Sequence, residues 1–203
     1  MRATHDSTRH RILDAGESLI AKKGFNGIGL AEILAAAEIP KGSFYHYFGS
    51  KEAYGNALLE HYIEGYKLKL DALLNADGLN SATARERLMS YWSDWLNSQS
   101  TCSGARKCLV VKLSAEVADL SDDMRNTLKQ GTDRVIKRLT TCIEEGIVDQ
   151  SIQINQPAAV VAQMLYQLWL GASLLSKLSG DRSSFELAMQ VTEATLSASH
   201  PSS

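Results

Sequence analysis

The sequence contains little cysteine and no long apolar run. Its three cysteines, Cys102, Cys108 and Cys142, form neither an even-numbered disulfide framework nor a CxxC pair for a metal ion. The first 25 residues lack the continuous apolar segment of a secretory signal, and no later run approaches the roughly 18 apolar residues of a membrane span. These absences predict a cytoplasmic protein whose cysteines are free thiols.

Histidines in a catalytic or metal-binding arrangement are also missing. The five histidines form no HxxxH-like pair and mostly lie towards the N-terminus: His5, His10, His46, His61 and His200. An enzyme needs a convergent set of acid, base or metal-binding groups. We therefore predict that the protein is not an enzyme, and we predict no cofactor and no metal.

Strand-like alternation is absent over any useful length, whereas apolar residues recur with helical spacing along the chain. After residue 50, for example, Tyr54, Leu58 and Tyr62 recur every four residues, and Ser50 is placed to cap that helix. One long helix is predicted to begin near residue 50. The other predicted helices cover 7–23, 30–37, 41–48, 82–99, 105–118, 121–147, 156–179 and 182–198. The pattern predicts an all-α fold of about nine helices.

Charge is distributed unevenly along the chain. Residues 1–51 contain seven Lys or Arg and five Asp or Glu, whereas the whole chain carries a net charge of −2, so the remainder carries −4. A modestly basic head on an acidic body is typical of a nucleic-acid module joined to a different domain. Together with the helix spacing described next, this distribution predicts a DNA-binding domain at 1–50 and a second domain at 51–203.

The segment PKGSFYHYFGSKE, Pro40 to Glu52, crowds four of the fourteen aromatic residues into five positions. On a helix, Phe44 and Phe48 share one face and should be core, whereas Tyr45 and Tyr47 lean outward. Two short helices joined by a tight turn have the dimensions of a helix-turn-helix unit, whose second helix enters the major groove. The residues then expected at base edges are Lys41, Gly42 and Ser43.

The segment GFNGIGLAEILAAAEIPKGSFYHYFGSKEAYGNALLE resembles the DNA-binding signature of the TetR family of bacterial transcriptional repressors. The resemblance implies an N-terminal three-helix DNA-binding domain, a connecting fourth helix and a C-terminal helical domain that senses a ligand and dimerises. It further implies a homodimer on a pseudo-palindromic operator in double-stranded DNA. Phosphate contacts are implied for Tyr45, Tyr47 and Lys51, and His46 lies on the same helix.

Two positions depart from the usual pattern of that family. Where the family usually has a Thr that caps the second helix and often an Arg two residues later, this chain has Gly29 and Ala31. The capping side chain and one DNA contact are therefore absent. The operator sequence does not follow from the resemblance.

A narrower resemblance, to the NemR-type subgroup that senses reactive electrophiles and oxidants, lies in KCLVVKLSAEVADLSDDMR and LYQLWLGASLLSKLS. It implies that Cys108 is the sensing thiol, that Lys177 is associated with it, and that modification of Cys108 releases DNA. A helix start near 103–105 and the neighbouring cations would favour the Cys108 thiolate, although the apolar residues after it also fit a packing role. Lys177 equally fits a cation at a helix C-terminus. Cys102 is a candidate resolving thiol, and Cys142 is predicted to be inert.

The alternative is a TetR-type repressor that a reversibly bound hydrophobic molecule induces without thiol chemistry. The aromatic residues that could line its pocket are Trp92, Trp95, Tyr166 and Trp169. In either case the last two helices are predicted to form the dimer interface as a four-helix bundle. The residues expected there are Leu165, Leu168, Ala172, Leu175, Leu187 and Val191, with the small Gly171 and Ser173.

Overall fold

Nine helices account for most of the chain that the structure describes. A computed structural model covers residues 2–75, 82–98, 109–118 and 120–197. The helices are α1 (Arg2–Lys23), α2 (Leu30–Ala37), α3 (Lys41–Phe48), α4 (Lys51–Leu74), α5 (Ala84–Ser98), α6 (Leu109–Ala118), α7 (Asp122–Val148), α8 (Ala158–Ser179) and α9 (Ser183–Leu196). The only extended pairing within these ranges is an isolated bridge between Gln153 and Ser197. The all-α prediction is confirmed.

The ends of the N-terminal helices follow from local capping. α1 ends where Gly24 adopts a φ of 82° and donates its backbone N–H to the carbonyl of Ile20 at 2.9 Å. α4 begins where the Ser50 hydroxyl accepts a hydrogen bond from the backbone nitrogen of Ala53 at 3.0 Å. The predicted N-cap at Ser50 is confirmed.

The described residues form two compact units. The first consists of 2–65, 109–118 and 120–131, and the second of 66–75, 82–98 and 132–197. α4 and α7 contribute residues to both units. The predicted boundary after residue 50 separates the domains by function, and it stays a prediction.

The core of the first unit joins α1 to α4 with α6 and the beginning of α7. Phe44 and Phe48 are 0% and 7% exposed, which confirms that they are core residues. Leu113 and Val117, one turn apart on α6, are fully buried in the same cluster. The apolar stripe of α6 is therefore part of the hydrophobic core beneath the predicted DNA-reading helices.

The second unit is built around α5, α8 and α9. Among the described helices, α8 alone is long and apolar enough, by length and composition, to span a membrane, although Gln, Ser and Lys residues interrupt its apolar sequence. However, α8 packs against α9, and its Leu165, Tyr166 and Trp169 side chains are buried within the unit. We therefore interpret α8 as a core helix whose opposite face is exposed and apolar.

Candidate nucleic-acid interface and sensing region

The N-terminus of α3 presents a cation and backbone donors to solvent. Lys41 and Gly42 are exposed, Ser43 is half-buried, and the first turn contains no acidic residue. The first amides of a helix have no intrahelical acceptor, so this end of α3 favours an anionic partner. A Cβ added to Gly42 would meet no atom within 4 Å, which leaves room for close approach of a partner's backbone.

The tyrosines of α3 differ in their exposure. Tyr45 is 46% exposed and its ring packs edge-on against Phe44. Tyr47 is half-buried, with its ring near those of His46 and Phe48. The outward orientation predicted for both tyrosines therefore holds fully for Tyr45 and only in part for Tyr47.

Lys51 has intramolecular partners that the sequence did not suggest. Its ammonium donates to the carbonyl of Ile28 at 2.7 Å and lies 5.1 Å from the centre of the Phe25 ring. A lysine has three N–H donors, so this arrangement leaves capacity for a phosphate oxygen. Lys51 thus holds the segment between α1 and α2, and its phosphate contact stays a prediction.

A side chain within α2 compensates for the capping side chain that Gly29 lacks. The Glu32 carboxylate accepts a hydrogen bond from the backbone nitrogen of Gly29 at 3.4 Å and pairs with the Lys23 ammonium. The hydrogen bond from Lys23, followed by that from Gly29, lowers the pKa of Glu32 below its ordinary value. This is the reciprocal half of a capping box, and it needs no side chain at Gly29.

The segment between α1 and α2 is also tied to α6. The backbone nitrogens of Phe25 and Asn26 donate to one carboxylate oxygen of Glu116, at 2.8 and 3.1 Å. Sequence reasoning missed this contact because the two partners are 91 positions apart. The only available signal was a carboxylate beside the apolar stripe of α6.

In the second unit, the four aromatic residues expected to line a pocket lie together and are buried. The ring centroids of Trp95 lie 5.5 Å from those of Trp92 and 6.0 Å from those of Tyr166. Trp95 donates its indole N–H to Ser173, whereas the indole N–H of Trp92 has no hydrogen-bond partner among the residues that the structure describes. The cluster therefore contains one buried donor that its own unit does not satisfy.

The structure bears on the thiol hypothesis through Cys142 and Lys177. Cys142 is fully buried, and burial raises the pKa of its thiol to about 11, which fits the predicted inertness. Lys177 is exposed in the last turn of α8. Cys102, Cys108 and the expected helix start near 103–105 lie outside the described residues.

No group of three His, Cys, Asp or Glu side chains within the described ranges could hold a metal ion.

The exposure of side chains on α8 and α9 contradicts part of the predicted dimer interface. Leu165, Ala172 and Ser173 are 1%, 5% and 8% exposed, so the prediction was wrong for these residues, which belong to the core of the protomer. Leu175 and Leu187 remain exposed at 55% and 59%. Other exposed apolar side chains on these two helices are Val160, Met164, Leu174, Leu178 and Val191.

Comparison with known proteins places this geometry in context. Residues 12–54 match the family described as bacterial regulatory proteins, tetR family, and residues 84–192 match the tetracyclin repressor-like C-terminal domain. The chain is 44% identical over 179 residues to the HTH-type transcriptional repressor NemR of Escherichia coli strain K12, covering 87% of each chain. It is 30% identical to the HTH-type transcriptional repressor DhaR of a Mycobacterium species, covering 86% of this chain and 84% of that one. The crystal structure of reduced E. coli NemR superposes with a TM-score of 0.89 at 41% identity, covering 95% of this chain and 98% of that one.

Proposed function

Because the chain belongs to the TetR family of bacterial regulatory proteins, we propose that it is a cytoplasmic DNA-binding repressor that a reactive electrophile or oxidant releases from its operator by modifying Cys108. The observation that carries the proposal is the position of α6. This helix is described from Leu109, the residue after Cys108, and its Leu113 and Val117 lie in the core beneath the DNA-reading helices. Cys108 is therefore adjacent in sequence to a helix that packs beneath the DNA-reading helices.

In the DNA-bound state, Lys41, Gly42 and Ser43 would contact base edges in the major groove. Phosphates would be bound by three side chains on the rim, Tyr45, Tyr47 and Lys51, and His46 lies exposed beside them on α3. The two DNA-binding domains of a homodimer must lie roughly 34 to 36 Å apart to occupy both halves of a pseudo-palindrome. The exposed apolar face of α8 and α9 supports dimerisation through these helices.

Release from DNA requires that the modified protein adopt a conformation in which the spacing of its two DNA-binding domains is different. Modification of Cys108 acts as a ligand that favours one conformation, and it shifts the equilibrium by the difference between its interaction free energies with the two conformations. The subgroup resemblance associates Lys177 with the sensing thiol, and a cation in that role would favour the thiolate or stabilise the modified form. Cys102 would serve as a second thiol where the oxidant leads to a disulfide.

A reversible hydrophobic inducer is the second candidate. One observation favours it, namely the buried and unpartnered indole N–H of Trp92 among the aromatic rings of α5 and α8. A molecule with an apolar body and one hydrogen-bond acceptor would suit Trp92, Trp95, Tyr166 and Trp169. This mode requires no thiol.

Fluorescence anisotropy on labelled DNA from the region upstream of the gene tests the proposal. Wild type, Cys108→Ser and Cys102→Ser are compared before and after one equivalent of N-ethylmaleimide, which couples its alkene carbon to the thiolate sulfur. We expect wild type and Cys102→Ser to leave the DNA and Cys108→Ser to stay bound. If wild type also stays bound while carrying the adduct, thiol sensing is wrong and the reversible inducer becomes the leading function.

A further inference from the structure

The turn between α1 and α2 cannot satisfy its own backbone. After Gly24 ends α1, the amides of Phe25 and Asn26 precede α2 and lie outside the hydrogen-bonding pattern of either helix. Both amides donate to Oε2 of Glu116, at 2.8 and 3.1 Å. A carboxylate that accepts two backbone N–H groups makes stronger hydrogen bonds than a neutral acceptor does. The turn therefore depends on α6 for its acceptor.

The fit around this contact is close. A Cβ added to Gly24 would lie 2.3 Å from Oε1 of Glu116, so the carboxylate occupies the space that the missing side chain leaves. The Phe25 ring is buried against Gly55 of α4, where a Cβ would lie 2.6 Å from it and 2.9 Å from Met124 of α7. On the same helix as Glu116, Leu113 and Val117 are fully buried. The carboxylate can thus leave the turn only if α6 shifts or the side chain changes its rotamer.

We propose that Glu116 is a positioning residue for DNA reading, through which the location of α6 sets the conformation of the turn between α1 and α2. The inference rests on the proposed function in one respect, because it makes Glu116 the receiver of a change that begins at Cys108. When α6 moves, the amides of Phe25 and Asn26 lose their acceptor. α2 and α3 follow this turn in the chain, so their placement against α1 becomes less well defined and the operator is bound less tightly.

The first test concerns the unmodified protein. Operator affinity and amide hydrogen exchange of the peptide containing 24–29 are measured for wild type, Glu116→Ala, Glu116→Gln and Glu144→Ala, the last being an exposed glutamate of α7 in the second unit. We expect Glu116→Ala to exchange faster in this peptide and to bind the operator about tenfold more weakly, the scale of one hydrogen bond to a charged acceptor. Glu116→Gln keeps an acceptor oxygen and should recover most of the loss, and Glu144→Ala should match wild type.

A general loss of folding would have a different signature. It would accelerate exchange across the whole first unit and would not be rescued by glutamine. If Glu116→Ala folds and binds the operator like wild type, or if its 24–29 peptide exchanges no faster, the proposal is wrong. Should Glu116→Ala fail to fold, Glu116→Asp provides the same test, because its shorter side chain withdraws the carboxylate while keeping the charge.

The second test separates this inference from the proposed function. Wild type and Cys108→Ser are treated with one equivalent of N-ethylmaleimide, and exchange of the 24–29 peptide is compared with DNA release. We expect alkylation to raise exchange in wild type to the level of Glu116→Ala and to leave Cys108→Ser unchanged. Release of DNA without a change in this peptide would overturn the coupling through Glu116 and leave thiol sensing intact. Absence of release would overturn thiol sensing, whereas the positioning role would still be decided by the affinity of Glu116→Ala.

Discussion

The indole rings of Trp92 and Trp169 are stacked, with centroids 4.8 Å apart and planes inclined by 14°. Both side chains are buried, yet their N–H groups differ. Trp169 donates to the hydroxyl of Thr192 at 3.0 Å, whereas Trp92 has no acceptor in the described part of the chain. An unsatisfied buried donor destabilises a fold, so two similar residues in one stack contribute differently to stability.

Replacement of each tryptophan by phenylalanine should expose that difference. Both changes lose comparable apolar volume, but Trp169→Phe also deprives Thr192 of its donor, whereas Trp92→Phe removes a donor that was unpaired. We expect Trp92→Phe to cost about 1 kcal/mol less in the free energy of unfolding than Trp169→Phe. Urea denaturation followed by circular dichroism measures both values. Equal costs would mean that the indole N–H of Trp92 is satisfied in solution, by water or by a ligand.

Gly24 and Gly49 both adopt positive φ, at 82° and 71°, but only Gly24 faces a neighbouring carboxylate. Alanine at either position should cost about 1–3 kcal/mol in backbone strain. Gly24→Ala should cost about a further 1 kcal/mol because it displaces Glu116 from the amides of Phe25 and Asn26. A double-mutant cycle with Glu116→Ala measures this part: the cost of Gly24→Ala should fall in that background, and that of Gly49→Ala should not change.

Alanine substitutions of Lys41 and Lys51 should differ in their effects on operator binding and on the free energy of unfolding. Lys41→Ala is expected to weaken operator binding by about 1–3 kcal/mol while changing the free energy of unfolding by less than about 0.5 kcal/mol. Lys51→Ala should lower the free energy of unfolding by about 1 kcal/mol, because the Ile28 carbonyl and the Phe25 ring lose their partner.

Anisotropy titrations at several salt concentrations, together with urea denaturation, provide both quantities for these lysines. If Lys51 also binds a phosphate, its removal should reduce the salt slope by about 1. Lys69→Ala, which removes an exposed cation of α4, serves as the control and should change neither quantity. A stable Lys51→Ala with an unchanged salt slope would contradict both of its roles.

Cys142 should make stability fall at alkaline pH. Burial raises the pKa of its thiol to about 11, whereas an unfolded thiol ionises near pH 8.5. Between these values the unfolded chain releases a proton that the native state retains, so the stabilising contribution is complete below about pH 8.5 and is lost as pH rises to about 11. The difference in unfolding free energy between wild type and Cys142→Ala should therefore shrink across this range by up to about 3 kcal/mol. A difference independent of pH would show that the thiol is accessible.

The exposed leucines of α8 and α9 should control assembly. Leu175→Glu and Leu187→Glu each place a charge on the apolar face, and burial of an unpaired charge opposes association. We expect either variant to be monomeric at concentrations where wild type is dimeric in sedimentation velocity. Leu68→Glu alters a residue of α4 that is 63% exposed and should remain dimeric. If Leu68→Glu dissociates instead, the interface lies elsewhere.

Local features of the sequence were sufficient for the two short helices α2 and α3, whereas α1 begins at Arg2 rather than near residue 7. The bounds of α2 and α3 agree with the predicted 30–37 and 41–48, and Phe44, Phe48 and Ser50 have the core and capping roles expected of them. These outcomes depend on helical periodicity and on groups a few positions away in the chain. The same segment also carried the resemblance to the family.

The tertiary structure decided which buried faces meet and which polar groups find partners. Periodicity shows that α6 has an apolar face, but hydrophobic burial is non-directional, so the pattern did not say that this face belongs to the core of the reading head. It also could not place Leu165 inside its protomer rather than at the dimer interface. The contact of Glu116 with Phe25, across 91 positions, exists because packing brings a carboxylate to two amides that local structure leaves unpaired.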